Sequence, residues 1–186
     1  MIWNNHSKYD GLHSFLSASN YHWINYDDEK LILVYQNTEL AAKKGTEDHE
    51  FASMCIKRRQ KLPRTRQTLN MFVNDAIGYR MESERVLYFS DNAFCTTDAI
   101  SFKDRTLRIF DLKTGNNKAH FEQLWVYAAY FCLEYGVNPK DITIELRIYQ
   151  FNDIRIDNPD AEAIIKIMAT IQRFDKLINK VKEEQG

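Results

Sequence analysis

Residues 94–113 constrain the fold more than any other stretch of the chain. Two apolar runs, 94–102 and 106–113, flank a tight Lys103-Asp104-Arg105 turn, and Thr114-Gly115 ends the second run. Runs of that length around a short polar turn predict an antiparallel strand pair. Residues two apart in a strand point to the same side, so Asp111 and Lys113 share a face with Leu107 and Ile109. Arg108, Phe110 and Leu112 face the other way. A strand that is apolar on much of both faces belongs in the middle of a sheet. Asp98 lies in the neighbouring strand. Two carboxylates from adjacent strands, beside a lysine, are suited to hold a divalent cation against a phosphate.

The flanking segments fit such a sheet. Residues 119–135 predict a strong helix ended by Gly136 in the usual C′ place. Gln123 and Tyr127, four apart, share one of its faces. Residues 141–151 alternate, with Ile142, Ile144, Leu146 and Ile148 inward and Thr143, Glu145, Arg147 and Tyr149 outward. A strand, a helix and a further strand joined by a right-handed crossover make the sheet mixed. Upstream, 69–78 predicts a helix and 79–89 a first strand with Glu82 and Glu84 on one solvated face; a water-mediated approach of Glu84 to the metal is the alternative. Pro159 opens a final helix over 159–184, whose Ile164, Ile167, Met168, Ile171 and Leu177 stripe serves packing. Nearer the N-terminus, 1–13 reads as loosely ordered, and the serine-rich 14–19 caps a short aromatic helix reaching Tyr26. Residues 31–35 form a linker strand or the approach to the next helix. A helical pattern over 38–62 breaks at Gly45, where Thr46 caps a second segment and places His49 in its first turn. The expected fold class is α/β, a central mixed β-sheet flanked by helices.

At 186 residues a single domain is expected, with its core over about 14–151. The net charge of −1 gives no general attraction for nucleic acid, so any basic footprint must be local. One such footprint exists: residues 57–66 hold six basic residues in ten, among them Arg58, Arg59, Arg64 and Arg66. So dense a cluster favours a phosphate-backbone contact stripe over a merely solvated helix end. No apolar run approaches the length of a bilayer span, which argues against a membrane partner. The start of the sequence lacks a basic-then-apolar leader, so a cytoplasmic location is expected. The three cysteines, Cys55, Cys95 and Cys132, are widely spaced and form neither a disulfide framework nor a zinc motif. They are expected to be buried free thiols.

Asp98, Asp111-x-Lys113 and Gln123-x-x-x-Tyr127 together resemble the PD-(D/E)XK nucleases. The branch in question includes the nuclease domain of RecB and the CRISPR-adaptation nucleases. The resemblance spans about 14–151 and extends to Gly45-Thr46-Glu47-Asp48-His49, which occupies the place of the family's upstream histidine. One departure is Cys95, which stands where the family usually has glycine. The resemblance implies a restriction-endonuclease-like core and a DNA partner. It also implies a Mg²⁺ or Mn²⁺ ion held by Asp98, Asp111, the Leu112 carbonyl and His49. Lys113 would then activate water, and Gln123 and Tyr127 would hold the nucleic acid or brace the site. Some members carry a four-cysteine iron–sulfur cluster, for which this chain has too few cysteines. The implied activity is DNA cleavage, as an exonuclease on ends or single strands, in a free-standing form familiar from bacteriophages and bacterial mobile elements. A structure-selective endonuclease, and an inactive nucleic-acid-binding module on the same fold, stay open beside it, as does assembly into an oligomer.

Overall fold

The computed structural model describes residues 1–37, 47–115 and 117–185. Its centre is a five-stranded sheet in sequence order. Strands β1 (Glu82–Ser90), β2 (Ala93–Lys103) and β3 (Thr106–Leu112) form an antiparallel meander. Strand β4 (Thr143–Gln150) lies parallel to β3, and β5 (Asp153–Asp157) returns antiparallel to β4. The helices are α1 (Asp28–Asn37), α2 (Glu47–Lys57), α3 (Thr68–Gly78), α4 (Glu122–Tyr135) and α5 (Ala161–Gln185). This is an α/β fold with a central mixed sheet flanked by helices, consistent with a restriction-endonuclease-like core.

Local chemistry sets the reversals. The β2–β3 turn places Asp104 and Arg105 at φ 50° and 56°, and the β4–β5 turn places Phe151 and Asn152 at 55° and 57°. Paired left-handed residues suit two-residue hairpins, because their twist matches that of the strands. The parallel β3–β4 pair instead needs a crossover, which α4 provides before Gly136 ends it at φ 62°.

Alternation along β3 divides the core in two. Leu107 and Ile109 join Leu124, Ala128 and Phe131 of α4 and Ile171 and Phe174 of α5. On the opposite face Phe110 and Leu112 join Cys55 and Ile56 of α2, Phe72 and Val73 of α3, and Tyr149 of β4. Each large apolar side chain buried this way contributes about 1.5–3 kcal/mol against the entropy of ordering the chain.

The structure corrects several expectations. Tyr149 does not face solvent: it is fully buried, edge-on to Phe72 at 5.5 Å, and its hydroxyl donates to Asp75 at 2.7 Å. Helices cover both faces of β4, so an alternation that suggested one wet face was misleading. Residues 1–13 are anchored. Trp3 meets Phe131 and Tyr135 edge-on, His6 pairs with Glu134 at 2.6 Å, and Tyr9 is buried between Tyr88 and Phe94. Ser14 caps no helix. It is buried, donates to the Phe94 carbonyl at 2.5 Å and accepts the Phe94 amide at 3.0 Å, tying the N-terminal segment to β2. The aromatic segment after it is a 3₁₀ helix, Ala18–Asn25, and 31–35 belongs to α1 rather than to a strand. The expected break at Gly45, the cap at Thr46 and the helical pattern from 38 lie outside the described residues. Strand β5 had no counterpart in the sequence reading.

Candidate active site

Strands β2 and β3 pair from Lys103↔Thr106 to Ala99↔Phe110. At the next step the Asp98 carboxylate accepts the Leu112 amide at 2.8 Å. Asp98 is thereby fixed against the backbone of the residue that follows Asp111. Asp111 lies on the α4 side of β3 and is only 1% exposed. The chain beyond β3 stays in register with β4, since the Lys113 amide donates to the Tyr149 carbonyl at 2.9 Å. The Lys113 ammonium therefore returns over Asp111.

From Lys113 a chain of contacts runs into the first turns of α4. Its Nζ lies 3.0 Å from Asp111 Oδ2 and donates to Gln123 Oε1 at 2.9 Å; Gln123 Nε2 donates to the Tyr127 hydroxyl oxygen at 2.8 Å. Gln123 and Tyr127 thus brace Lys113. Lys113 and Asp111 form a buried ion pair, and among the described residues no other donor reaches either Asp111 carboxylate oxygen. From the first turn of α2, His49 places Nδ1 3.4 Å from Asp98 Oδ1.

The charges respond to this setting. Burial pushes the Asp111 carboxyl above the ordinary carboxylate range; Lys113 pulls it back and Asp98 adds to the rise. For Lys113, burial pulls downward, but Asp111 and Asp98 outweigh it and hold the ammonium above its usual value. The contact with the Asp98 carboxylate raises His49, with burial opposing. Burial keeps the Tyr127 phenol well above its ordinary range, so it stays neutral beside Gln123. The cluster is one buried carboxylate, one anchored carboxylate, one ammonium and one imidazole.

That donor set fits a hard divalent cation. A buried carboxylate met by a single ammonium is costly unless something positive also satisfies its remaining lone pairs. Lys113 meets Oδ2, which leaves Oδ1 without a partner among the described residues. Mg²⁺ and Mn²⁺ accept one or two carboxylates and a carbonyl while keeping several waters. Among the described residues no three His, Cys, Asp or Glu side chains form a metal cage by themselves. A cation here would take Asp98, Asp111 and the Leu112 carbonyl and complete its shell with water. His49 is turned to Asp98 and would join only as a neutral imidazole.

One neighbour of the cluster, Tyr21, escaped the sequence reading. On the 3₁₀ helix, it feels the charges of Glu122 and Lys113, with burial the larger influence raising its phenol. Its signal in the sequence was only that of an aromatic helix residue. For Glu84 the expectation is a solvated strand face, with a water-mediated approach to the metal as the alternative. The pairs Ser83↔Ala99 and Arg85↔Thr97 set it opposite Asp98, yet it adopts φ 50° inside β1 and its carboxylate turns to Lys57 at 3.5 Å. A left-handed residue within a strand costs about 1–2 kcal/mol unless it is glycine. Glu84→Gly should accordingly be near neutral in urea unfolding, relief of strain offsetting the added chain entropy. Glu84→Val should cost about 1–2 kcal/mol. Equal losses in both variants would show that the Lys57 pair, not the backbone, is what matters there.

Cys95, the departure from the glycine pattern, makes no turn: it continues β2 opposite Leu87 and is buried. Cys55 and Cys132 are likewise buried free thiols. The basic run divides. Arg59 donates to the Met81 carbonyl at 3.0 Å and lies 3.8 Å from Glu82, fastening the loop after α2 to the start of β1. Among the expected contact arginines it is therefore a structural tie. Arg58, Arg64 and Arg66 are exposed, without an ion-pair partner among the described residues, and do not touch the Asp98–Asp111 cluster.

No protein-family model matches this chain, and no curated protein matches it. Among solved structures, the crystal structure of SSO0001 is similar over 78% of this chain and 83% of that one, at 11% identity and a TM-score of 0.29. No helix among the described residues is long and apolar enough to cross a membrane.

Proposed function

We propose that this chain is a metal-dependent DNA nuclease of the PD-(D/E)XK class, an exonuclease acting on DNA ends or single strands. The observation that carries this is the Asp111 carboxylate, buried beside Asp98 and Lys113, with no donor at Oδ1 among the described residues. A purely structural strand-end ion pair would leave its acid hydrogen-bonded or wet.

Asp98, Asp111 and the Leu112 carbonyl would hold Mg²⁺ or Mn²⁺, with His49 as a further donor once it releases Asp98. A bound cation neutralises charge on the scissile phosphate and acidifies water. Lys113 presents a compact cationic donor to the attacking water and to the charge that develops on the phosphate oxygens. Its direction is set by two anchors, Asp111 on one side and Gln123 on the other. Tyr127, buried and neutral, fixes the Gln123 amide with its oxygen toward Lys113. A proton on Asp111 or His49 competes with the cation, so metal affinity should rise with pH as both groups lose theirs.

Incubation with linear, closed circular and single-stranded DNA tests the proposal. Linear and single-stranded DNA should be degraded in Mg²⁺ or Mn²⁺, faster in Mn²⁺, with closed circles spared and EDTA abolishing the reaction. His49→Ala should weaken Mn²⁺ binding about tenfold while DNA binding holds. Efficient nicking of closed circles would favour a structure-selective endonuclease. DNA binding with no cleavage in either metal would favour an inactive binding module.

A further inference from the structure

The loop joining α2 to α3 lies against α3 and frames a groove of about 590 Å³. Its rim carries Lys61, Arg64 and Arg66, all exposed and without ion-pair partners among the described residues. Its floor includes Leu62 and Met71, which pack on the smaller core cluster from its edge. Asp75 also lines it, but that carboxylate is already engaged by Arg147 at 3.2 Å and the Tyr149 hydroxyl at 2.7 Å. The groove therefore offers uncompensated positive charge over an apolar base.

The loop is built to keep this shape. Asn74 holds Leu62 from both sides, accepting its amide at 2.9 Å and donating to its carbonyl at 3.0 Å. Buried Asn70 donates to Thr65 Oγ1 at 2.9 Å. Pro63 stiffens the segment further. A loop fixed in this way, with three cations that repel one another, gains by taking up an anion and spends little ordering entropy in doing so.

We propose that this groove seats one unstacked nucleotide of a single nucleic-acid strand, at a distance from the catalytic cluster. The volume lies in the range of small-molecule sites. Lys61, Arg64 and Arg66 take the phosphates, and a guanidinium plane or the Leu62–Met71 floor takes the face of a base. A paired duplex keeps its bases stacked inside and can offer this groove only phosphates, leaving the floor idle. The groove opens beyond the C-terminal end of α2, while His49 sits in the first turn of that helix. The rise from His49 to Lys57 at the end of that helix is about 12 Å, so the groove lies toward the end of α2 away from the cluster. The choice of ligand rests on the nuclease proposal.

Binding without metal separates the two ideas. Fluorescence anisotropy in EDTA compares a short labelled single strand with the same strand annealed to its complement. The Arg64→Gln/Arg66→Gln pair should weaken both by about tenfold and flatten their salt dependence. Met71→Gln should weaken the single strand about fivefold and leave the duplex unchanged. In the unaltered protein, a thiothymidine-containing strand should photo-crosslink to Leu62 or Met71, a readout that does not depend on any variant folding. Unchanged single-strand affinity in either variant, or crosslinks confined to other residues, overturns the proposal. A protein that cleaves DNA but fails these tests keeps the nuclease function and loses the groove; one that passes them without cleaving does the reverse.

Discussion

Asp111→Asn should abolish DNA cleavage and at the same time raise the thermal midpoint of the metal-free protein. The two effects share one cause. In the metal-free fold both Asp111 oxygens are buried with Lys113 in contact at Oδ2 alone, and burial pushes the carboxyl upward against the pull of Lys113. A group whose folded pKa exceeds its unfolded value binds a proton on folding. Stability from this site therefore falls as pH rises from about 4 toward neutrality, and stays lost above that. Asparagine is nearly the same shape and never pays for charge. It leaves Lys113 without its anion, but that side chain is 27% exposed and keeps Gln123. The net gain should be about 1–2 kcal/mol at neutral pH, a shift of roughly 2–8 °C, shrinking as pH is lowered toward 4. Cleavage should drop by at least about a thousandfold, because charge stabilisation at the phosphate is lost with the cation. Asp98→Ala should also abolish cleavage, but without the stability gain, since it frees the Leu112 amide. Wild-type cleavage by Asp111→Asn would falsify the nuclease proposal.

The parts of this molecule that were legible in sequence are those governed by short-range rules. Period-two alternation set Leu107, Ile109 and Asp111 on one face, and the helical spacing of Gln123 and Tyr127 set both on one face of α4. Gly136 marked the end of α4 because a left-handed C′ residue needs it. What escaped depends on partners far along the chain. His6 is fixed by Glu134 and Ser14 by Phe94, and neither residue carries a local sign of it. The burial of Tyr149 needed α3 on a face that alternation had marked as wet. Within the site, Asp111 and Lys113 could be read from spacing, but the Asp98–Leu112 contact arises only where β2 and β3 cease to pair. The basic run looked uniform as sequence. Its division into a tie at Arg59 and free cations at Arg64 and Arg66 depends on where Met81 and Glu82 fall.

Removing Lys113 should be as harmful to cleavage as removing Asp111, with the opposite effect on the fold. Lys113→Ala takes away the one cation beside a buried carboxylate, and breaking such a pair from one side costs up to about 3–5 kcal/mol. The observed loss in urea unfolding should be smaller, about 1–3 kcal/mol, because Asp111 can take up a proton instead of remaining charged. In an Asp111→Asn background that penalty should largely disappear, since no buried charge is left to strand. The double-mutant cycle should then show a coupling of about 1–3 kcal/mol at neutral pH, fading in acid as the carboxyl protonates. Cleavage should grade along the bracing chain. Lys113→Ala should lose at least about a thousandfold. Gln123→Ala, which leaves Lys113 held from one side only, should lose about ten- to a hundredfold, and Tyr127→Phe less, since the ring still packs and only one hydrogen bond to Gln123 is gone. Equal losses at all three positions would mean that Gln123 and Tyr127 touch the substrate themselves. Additive stabilities for Lys113 and Asp111 would mean that the 3.0 Å contact between them carries no weight in the fold.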